Sequence, residues 1–222
     1  MIAIAHDTRE VCAAAADLFD YRRASDAPGI AKEIADALEP RHQPAAEALR
    51  NFAAETAEFS EAQREEVFAR TYDLNPSCPP YLSVHLFGEE SFKRAILMTG
   101  LAAAYDRAGF DRGSELPDHI SVVLRFAPQF GAEEWDDLAR FCLPTPLVRM
   151  SALLDPAKNP HRHVITALRA ILKADFPTEN LPCSTSSFSP RSLTSPCASC
   201  SSAPSGATGP TSSAIPRCHL NS

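Results

Sequence analysis

Ser114-Glu115-Leu116-Pro117-Asp118-His119, running into Ile120-Ser121-Val122-Val123-Leu124-Arg125-Phe126, is the stretch around which this chain is organised. Pro117 has no N–H to lose and a φ already near helical, so it suits the first turn of a helix, and it pushes Leu116 toward an extended conformation. The segment therefore reads as a hinge into a helix. Asp118 is expected in the first turn, where the positive end of the helix dipole favours a carboxylate, with His119 beside it. Ile120, Val123, Leu124 and Ala127 repeat at spacings of three and four, so that face is buried. Taken alone, these residues make a well-capped helix start with surface charges. They also tie three titratable groups, Glu115, Asp118 and His119, to one edge of a core.

Outward from the hinge the apolar period is helical almost everywhere. Asp7-Thr8-Arg9-Glu10 has the spacing of a capping box, and Val11, Ala14, Ala15, Leu18 and Phe19 mark a helix to about Tyr21. The Arg22-Arg23 pair after it has no apolar region behind it and reads as a solvated loop. A short helix opens at Pro28 with Ile30, Ile34 and Leu38 on one stripe and is ended with the help of Pro40. From Pro44, Ala45, Ala48, Leu49, Phe52, Ala53, Thr56 and Phe59 give nearly four turns of core helix. Ser60-Glu61-Ala62-Gln63 is a second capping box, and Val67, Phe68 and Thr71 carry a helix to Tyr72-Asp73-Leu74. Asn75-Pro76-Ser77-Cys78-Pro79-Pro80 must stop it.

Tyr81 to Gly88 is the one ambiguous run. Its aromatic and β-branched residues permit a strand, but no partner strand appears elsewhere, so a short buried helix ending at Gly88 is preferred. His85 within it reads first as a hydrogen-bonded core histidine. Glu89 to Ala108 predicts a long helix with Phe92, Ile96, Leu97, Leu101 and Tyr105 inward, stopped by Gly109 in the left-handed region. Beyond the hinge, Gly131-Ala132-Glu133-Glu134-Trp135 starts a helix to about Leu143, and Pro144 and Pro146 open another that Asp155-Pro156 closes. Val164, Ile165, Leu168, Ile171 and Leu172 form the last stripe. His161 and His163, two residues apart, should point in different directions and share no metal. The expectation is an all-α protein, a single compact domain of about eight or nine helices over residues 1–180.

From Leu181 to Ser222 the composition turns abruptly to Ser, Pro, Thr and Cys without one acidic residue. Such a segment buries too little apolar surface to offset its chain entropy, so residues 181–222 are expected to be a disordered, low-complexity tail. So abrupt a change is also what a shifted reading frame produces. Cys197-Ala198-Ser199-Cys200 matches CxxC but lacks a second pair at zinc spacing.

Composition and charge narrow the function. A chain of 222 residues with 45% hydrophobic content can bury one substantial core, and 28 acidic against 21 basic side chains give a net charge of -7. That balance disfavours nucleic acid and suits a basic or neutral partner. No apolar run reaches bilayer length, and Met1 to Asp7 lacks a signal-like pattern, so a cytoplasmic protein with reduced thiols is expected. GxGxxG, the P-loop, HExxH and GxSxG are all absent, which leaves no catalytic, metal or cofactor residue to name.

Tyr72-Asp73-Leu74, His85-Leu86-Phe87-Gly88, Lys93-Arg94, Tyr105 and above all Glu115-Leu116-Pro117-Asp118-His119 carry a resemblance to the redox-enzyme maturation chaperones, the NarJ, TorD and DmsD group. The chain looks most like the nitrate reductase delta subunits, from about Val11 to Asp175. Ala95 departs from the pattern, since the family usually has Gly after the arginine. The resemblance implies an all-helical TorD-like fold in which the ELPDH stretch joins two halves. It implies a non-enzymatic chaperone, without cofactor, that binds the N-terminal leader or remnant peptide of a molybdenum-containing catalytic subunit and assists cofactor insertion. Tyr72, Asp73, His85, Arg94, Glu115, Leu116, Pro117, Asp118 and His119 are then the expected peptide-binding residues, in a monomer or homodimer. Two alternatives remain open on the residues alone: a helical metal-dependent hydrolase using His85, Asp118 and His119, and a structural subunit of an oxidoreductase complex.

Overall fold

A computed structural model describes residues 7–38 and 41–177. Pro40 and the stretch 181–222, with its CxxC, lie outside the described residues. Ten α-helices and no strand occur among those described, which is the all-α architecture expected.

Helix α1 (Thr8–Ala15) starts on Asp7, whose side chain accepts from the Arg9 N–H. It is shorter than the periodicity predicts. The chain tightens into a 3₁₀ turn at Ala16–Phe19, breaks at Asp20 in an extended conformation, and makes a second 3₁₀ turn at Tyr21–Arg23 capped by the Asp20 side chain. Helix α2 (Ala27–Leu38) and α3 (Gln43–Ala57) pack along each other, and α3 packs on the last helix, α10 (His161–Asp175). Helix α4 (Glu61–Phe68) has the capping box read from Ser60 and Gln63, and widens into a π turn over Ala69–Asp73. Asn75, at φ 53, turns the chain into the proline-rich loop.

The ambiguous run is the short helix α5 (Leu82–Phe87), ended by Gly88 at φ 81. Helix α6 (Phe92–Ala108) starts on Ser91 and ends at Gly109 in the left-handed region, as expected. Its register differs from the prediction. Leu97, Leu101, Ala104 and Tyr105 are buried, whereas Phe92 and Ile96 point to solvent. The helix is apolar on every side, so periodicity alone could not orient it.

The hinge also departs from expectation. Helix α7 (Ile120–Phe126) begins only after His119, which is its N-cap, so Pro117 and Asp118 lie before the helix and outside its first turn. The cause is a backbone stitch between two separated segments: Ile120 N–H donates to Pro80 at 2.8 Å and Leu82 N–H to Asp118 at 3.0 Å. Those bonds hold Tyr81 and His119 extended, as an isolated antiparallel bridge, until α5 and α7 each begin one residue later. Helix α7 packs on α1, and a 3₁₀ turn at Ala127–Gln129 leads to α8 (Ala132–Asp137), which runs into a π turn at Leu138–Cys142. Helix α9 (Pro144–Leu153) lies against α5 and α10.

Rings chain these elements together on one side: Tyr105 on Phe126 at 4.8 Å, Phe126 on Phe130 at 4.6 Å and Trp135 on Phe176 at 6.3 Å. His161 sits in a second nest, 5.3 Å from Phe52 and 5.0 Å from Tyr72, while His163 turns away to Glu55 at 3.0 Å. Complete burial pushes His161 down to about 3, so it is neutral at any physiological pH. Cys12, Cys78 and Cys142 are buried, and burial raises Cys12 and Cys78 to about 12.

Candidate functional site

The stitch between Pro80 and Ile120 forms one wall of a cavity of about 380 Å³. Tyr72 and Asp73, at the end of the π turn, form a second wall, and the turn from Arg112 to Glu115 a third. Phe19, Asp20, Tyr21 and Arg22 close it from the far end of the sequence. Four of the expected residues therefore converge here: Tyr72, Asp73, Glu115 and His119. They come from segments more than forty positions apart, with the backbone bonds between Pro80–Leu82 and Asp118–Ile120 linking the two parts of the chain.

His119 is 7% exposed, with its ring edge-on to Tyr81 at 5.6 Å. Its Nδ1 accepts the Ser121 N–H at 3.2 Å and meets the Ser121 hydroxyl at 2.7 Å. An Nδ1 that takes a backbone N–H has a free lone pair, so the proton resides on Nε2 and the ring is neutral. Burial lowers its pKa, against the opposing pull of Glu115, Asp118 and Asp20. Tyr72 is buried among rings, which pushes its phenol well above its usual value, and its hydroxyl has no partner among the described residues.

The lining is not acidic, although the chain is. It holds three carboxylates, Asp20, Asp73 and Glu115, against three guanidinium groups, Arg22, Arg112 and Arg125. Several are paired already. Burial alone would raise Asp20, but hydrogen bonds from Arg22 and the nearby Arg125 charge hold it below the usual carboxylate range. Arg22 reaches Asp20 at 2.9 Å, and Arg125 lies 3.0 Å from Asp17 and 3.4 Å from Asp20.

The other expected residues are placed elsewhere. Asp118 is fully buried and presents no surface to any ligand; its Oδ2 accepts the Ser83 N–H at 3.2 Å and also takes the Ser83 hydroxyl. Arg94 donates from Nε to that same hydroxyl at 3.0 Å, so Arg94, Ser83 and Asp118 form a relay that fastens α6 and α5 to the hinge. Pro117 is buried too, and its carbonyl accepts from the Tyr105 hydroxyl at 2.8 Å. Asp118 and Pro117 thus lie behind the cavity wall and are not part of its lining. His85 is the core histidine expected, bonded to the Pro79 carbonyl at 2.7 Å, and burial lowers its pKa. Leu116 is exposed beside the hinge but does not line the cavity.

Sequence reasoning missed Phe19, Asp20, Tyr21 and Arg22. The signal available was the Asp20-x-Arg22 spacing of a side-chain cap, which ends α1 early and swings the loop back over the hinge. Among the described residues, no group of three or more His, Cys, Asp or Glu is placed to hold a metal ion. No helix of the described residues is long and apolar enough to cross a membrane.

Residues 35–173, more than half of the chain, match the family model described as nitrate reductase delta subunit. The search of curated proteins found no match. The chain belongs to the nitrate reductase delta subunit family, a family of assembly factors rather than enzymes.

Proposed function

We propose that this member of the nitrate reductase delta subunit family is a chaperone that binds the N-terminal peptide of a molybdenum-containing catalytic subunit and holds it for cofactor insertion. The observation that carries the reading is the convergence of Tyr72, Asp73, Glu115 and His119 on one cavity of about 380 Å³. That volume lies in the usual range for a specific ligand site and takes the side chains along one face of a short amphipathic segment. Aromatic edges from Phe19, Phe68, Tyr72 and Tyr81 supply apolar contact, while Asp73 and Glu115 accept hydrogen bonds from a peptide cation. Neutral His119 offers one Nε2–H donor to a peptide carbonyl. Arg94, Ser83, Asp118, Pro117 and Tyr105 act behind the wall, fixing the distance between Tyr81 and His119. The reading places the protein in the cytoplasm, where cofactor insertion takes place, and takes residues 1–180 as the working domain.

Calorimetric titration tests it. A synthetic peptide copying the first residues of a nitrate reductase-like catalytic subunit is expected to bind the wild type. Glu115→Gln and His119→Ala should each weaken it about fivefold or more, with unchanged melting temperature for the exposed Glu115. Equal affinity in all three proteins removes the cavity as the peptide site. Copurification with mature, cofactor-loaded enzyme instead of the cofactor-free subunit would favour a structural subunit.

A further inference from the structure

The cavity wall that carries Tyr72 and Asp73 is a π turn, Ala69–Asp73, closed by the Leu74 N–H on the Ala69 carbonyl at 2.9 Å. Such turns are rare and occur mostly as single bulges in α-helices. Relaxed to an ordinary α-helix, the same five residues would wind roughly a quarter turn further and carry Tyr72 and Asp73 off the wall. The shape of the site therefore depends on what keeps this turn wide.

Part of the hold is backbone: the Ser77 and Cys78 N–H groups donate to the Arg70 and Thr71 carbonyls at 3.2 and 2.9 Å. A second part comes from Asn159, half-buried in the loop before α10 and 88 positions away from Thr71. Thr71 is buried, and its hydroxyl gives its one hydrogen to the Val67 carbonyl at 2.6 Å. It is left as an acceptor, which Asn159 meets with an Nδ2–H at 2.9 Å. The other end of the same amide is fixed too, because Oδ1 accepts the His161 N–H at 3.0 Å where α10 begins. The His161 ring in turn stands edge-on to Tyr72 at 5.0 Å. One planar amide thus grips the turn directly at Thr71 and, through His161, at the ring of Tyr72. The position demands an amide, since a carboxylate supplies the acceptor but not the donor.

We infer that Asn159 is a positioning residue for the cavity: it holds the π turn against the start of α10 and so keeps Tyr72 and Asp73 in the wall. Asn159 does not itself line the cavity, whose lining ends at Arg125 among the described residues. It is a link from the last part of the described chain to a site built from earlier segments. The inference rests on the reading of that cavity as the peptide site, and Asn159 acts on peptide affinity only through the wall it supports.

Two measurements on the full chain test it: calorimetric titration with the synthetic peptide copying the first residues of a nitrate reductase-like catalytic subunit, and amide hydrogen exchange of the free proteins. Asn159→Asp keeps the acceptor for the His161 N–H, places a favourable charge at a helix start and loses the donor to Thr71. It should weaken peptide binding about fivefold or more with little change in melting temperature. Exchange of the Leu74 amide, which closes the π turn, should quicken about fivefold or more in the same variant. Thr71→Val, close to Thr in shape, should act alike, and the double variant should be no worse than either single one. Thr71→Ser, which keeps the hydroxyl, should retain wild-type affinity. Unchanged Leu74 exchange in Asn159→Asp overturns the inference, as does a lower melting temperature with peptide affinity intact. A wild type that does not bind the peptide removes the reading of the cavity and the role of Asn159 in affinity together. Binding by the wild type that Asn159→Asp matches removes Asn159 alone.

Discussion

Replacing Asp118 by Ala discriminates between the two roles that its position allows. A carboxylate in the first turn of an exposed helix contributes roughly 0.5 to 1 kcal/mol, and Asn there keeps most of it. The structure puts Asp118 somewhere else. It is fully buried, its Oδ2 accepts from both the N–H and the hydroxyl of Ser83, and Arg94 completes the relay through that hydroxyl. A hydrogen bond to a charged group is worth about 1.5 to 3 kcal/mol, and Asp118→Ala removes two acceptor contacts and leaves a buried N–H unpaired. The carboxylate's own desolvation cost offsets part of this, giving a net loss of about 3 kcal/mol. Asp118→Asn keeps one oxygen acceptor at the same size, so about half that loss is expected. Urea unfolding of wild type, both variants and Ser83→Ala measures the four stabilities, and the Ser83→Ala/Asp118→Ala double variant closes the cycle. The two single losses should be strongly non-additive, because either change alone breaks the same contact. A loss under about 1 kcal/mol for Asp118→Ala, or simple additivity with Ser83→Ala, would refute the relay and return Asp118 to the role of a helix cap.

His161 makes stability depend on pH in a definite direction. Its folded pKa of about 3 lies below the usual 6.5, so the unfolded chain binds the extra proton between those values and stability falls as pH drops through that window. Between pH 7.5 and pH 5 this group alone should remove about 2 kcal/mol, and His161→Phe should flatten the curve by that amount; identical pH profiles for the two proteins would contradict it. Cutting the chain after Asn180 should leave the melting temperature and peptide affinity nearly unchanged, as expected for a segment without a periodic apolar face, and a clear drop in either would show that residues beyond it contribute.

Most of the helical framework was legible because apolar residues at three and four spacing announce a buried face, and because Ser60, Gly88 and Gly109 mark ends by simple chemistry. Even the ambiguous run from Tyr81 resolved correctly, since no partner strand existed for it. What the sequence could not show was a consequence of long-range bonds. Pro117 and Asp118 look like a helix start, but Leu82 N–H claims the Asp118 carbonyl from thirty-odd residues away and delays α7 to Ile120. The same holds for the site. Tyr72, Asp73, Glu115 and His119 were found through their family pattern, whereas Asp20, Tyr21 and Arg22 were not, because a 3₁₀ loop folding back over the hinge has no period to read. Phe92 and Ile96 misled for another reason: α6 carries apolar side chains on its exposed face as well as its buried one, so the period does not single out the face that packs on the core.

The balance of charge inside the cavity revises what the net charge of -7 suggests about its ligand. An acidic protein invites the expectation of a basic peptide held by ionic contacts and released by salt. Of the six charged side chains in the lining, however, Asp20, Arg22 and Arg125 are engaged with one another or with Asp17, and Arg112 donates to the Glu115 carbonyl. Only Asp73 and Glu115 then remain to receive a peptide cation, while five phenylalanine and tyrosine rings stand ready for apolar side chains. Two partly exposed ionic contacts are each worth up to about 1 kcal/mol and are screened within a Debye length of about 8 Å at physiological salt. Apolar burial is not screened at all. Raising salt from about 50 to about 500 mM should therefore weaken peptide binding only a few-fold, and Glu115→Gln should remove about half of that dependence. A loss of a hundredfold or more over the same range would mean that ionic contacts outside the cavity dominate, and that the ring-lined cleft is not where most of the affinity resides.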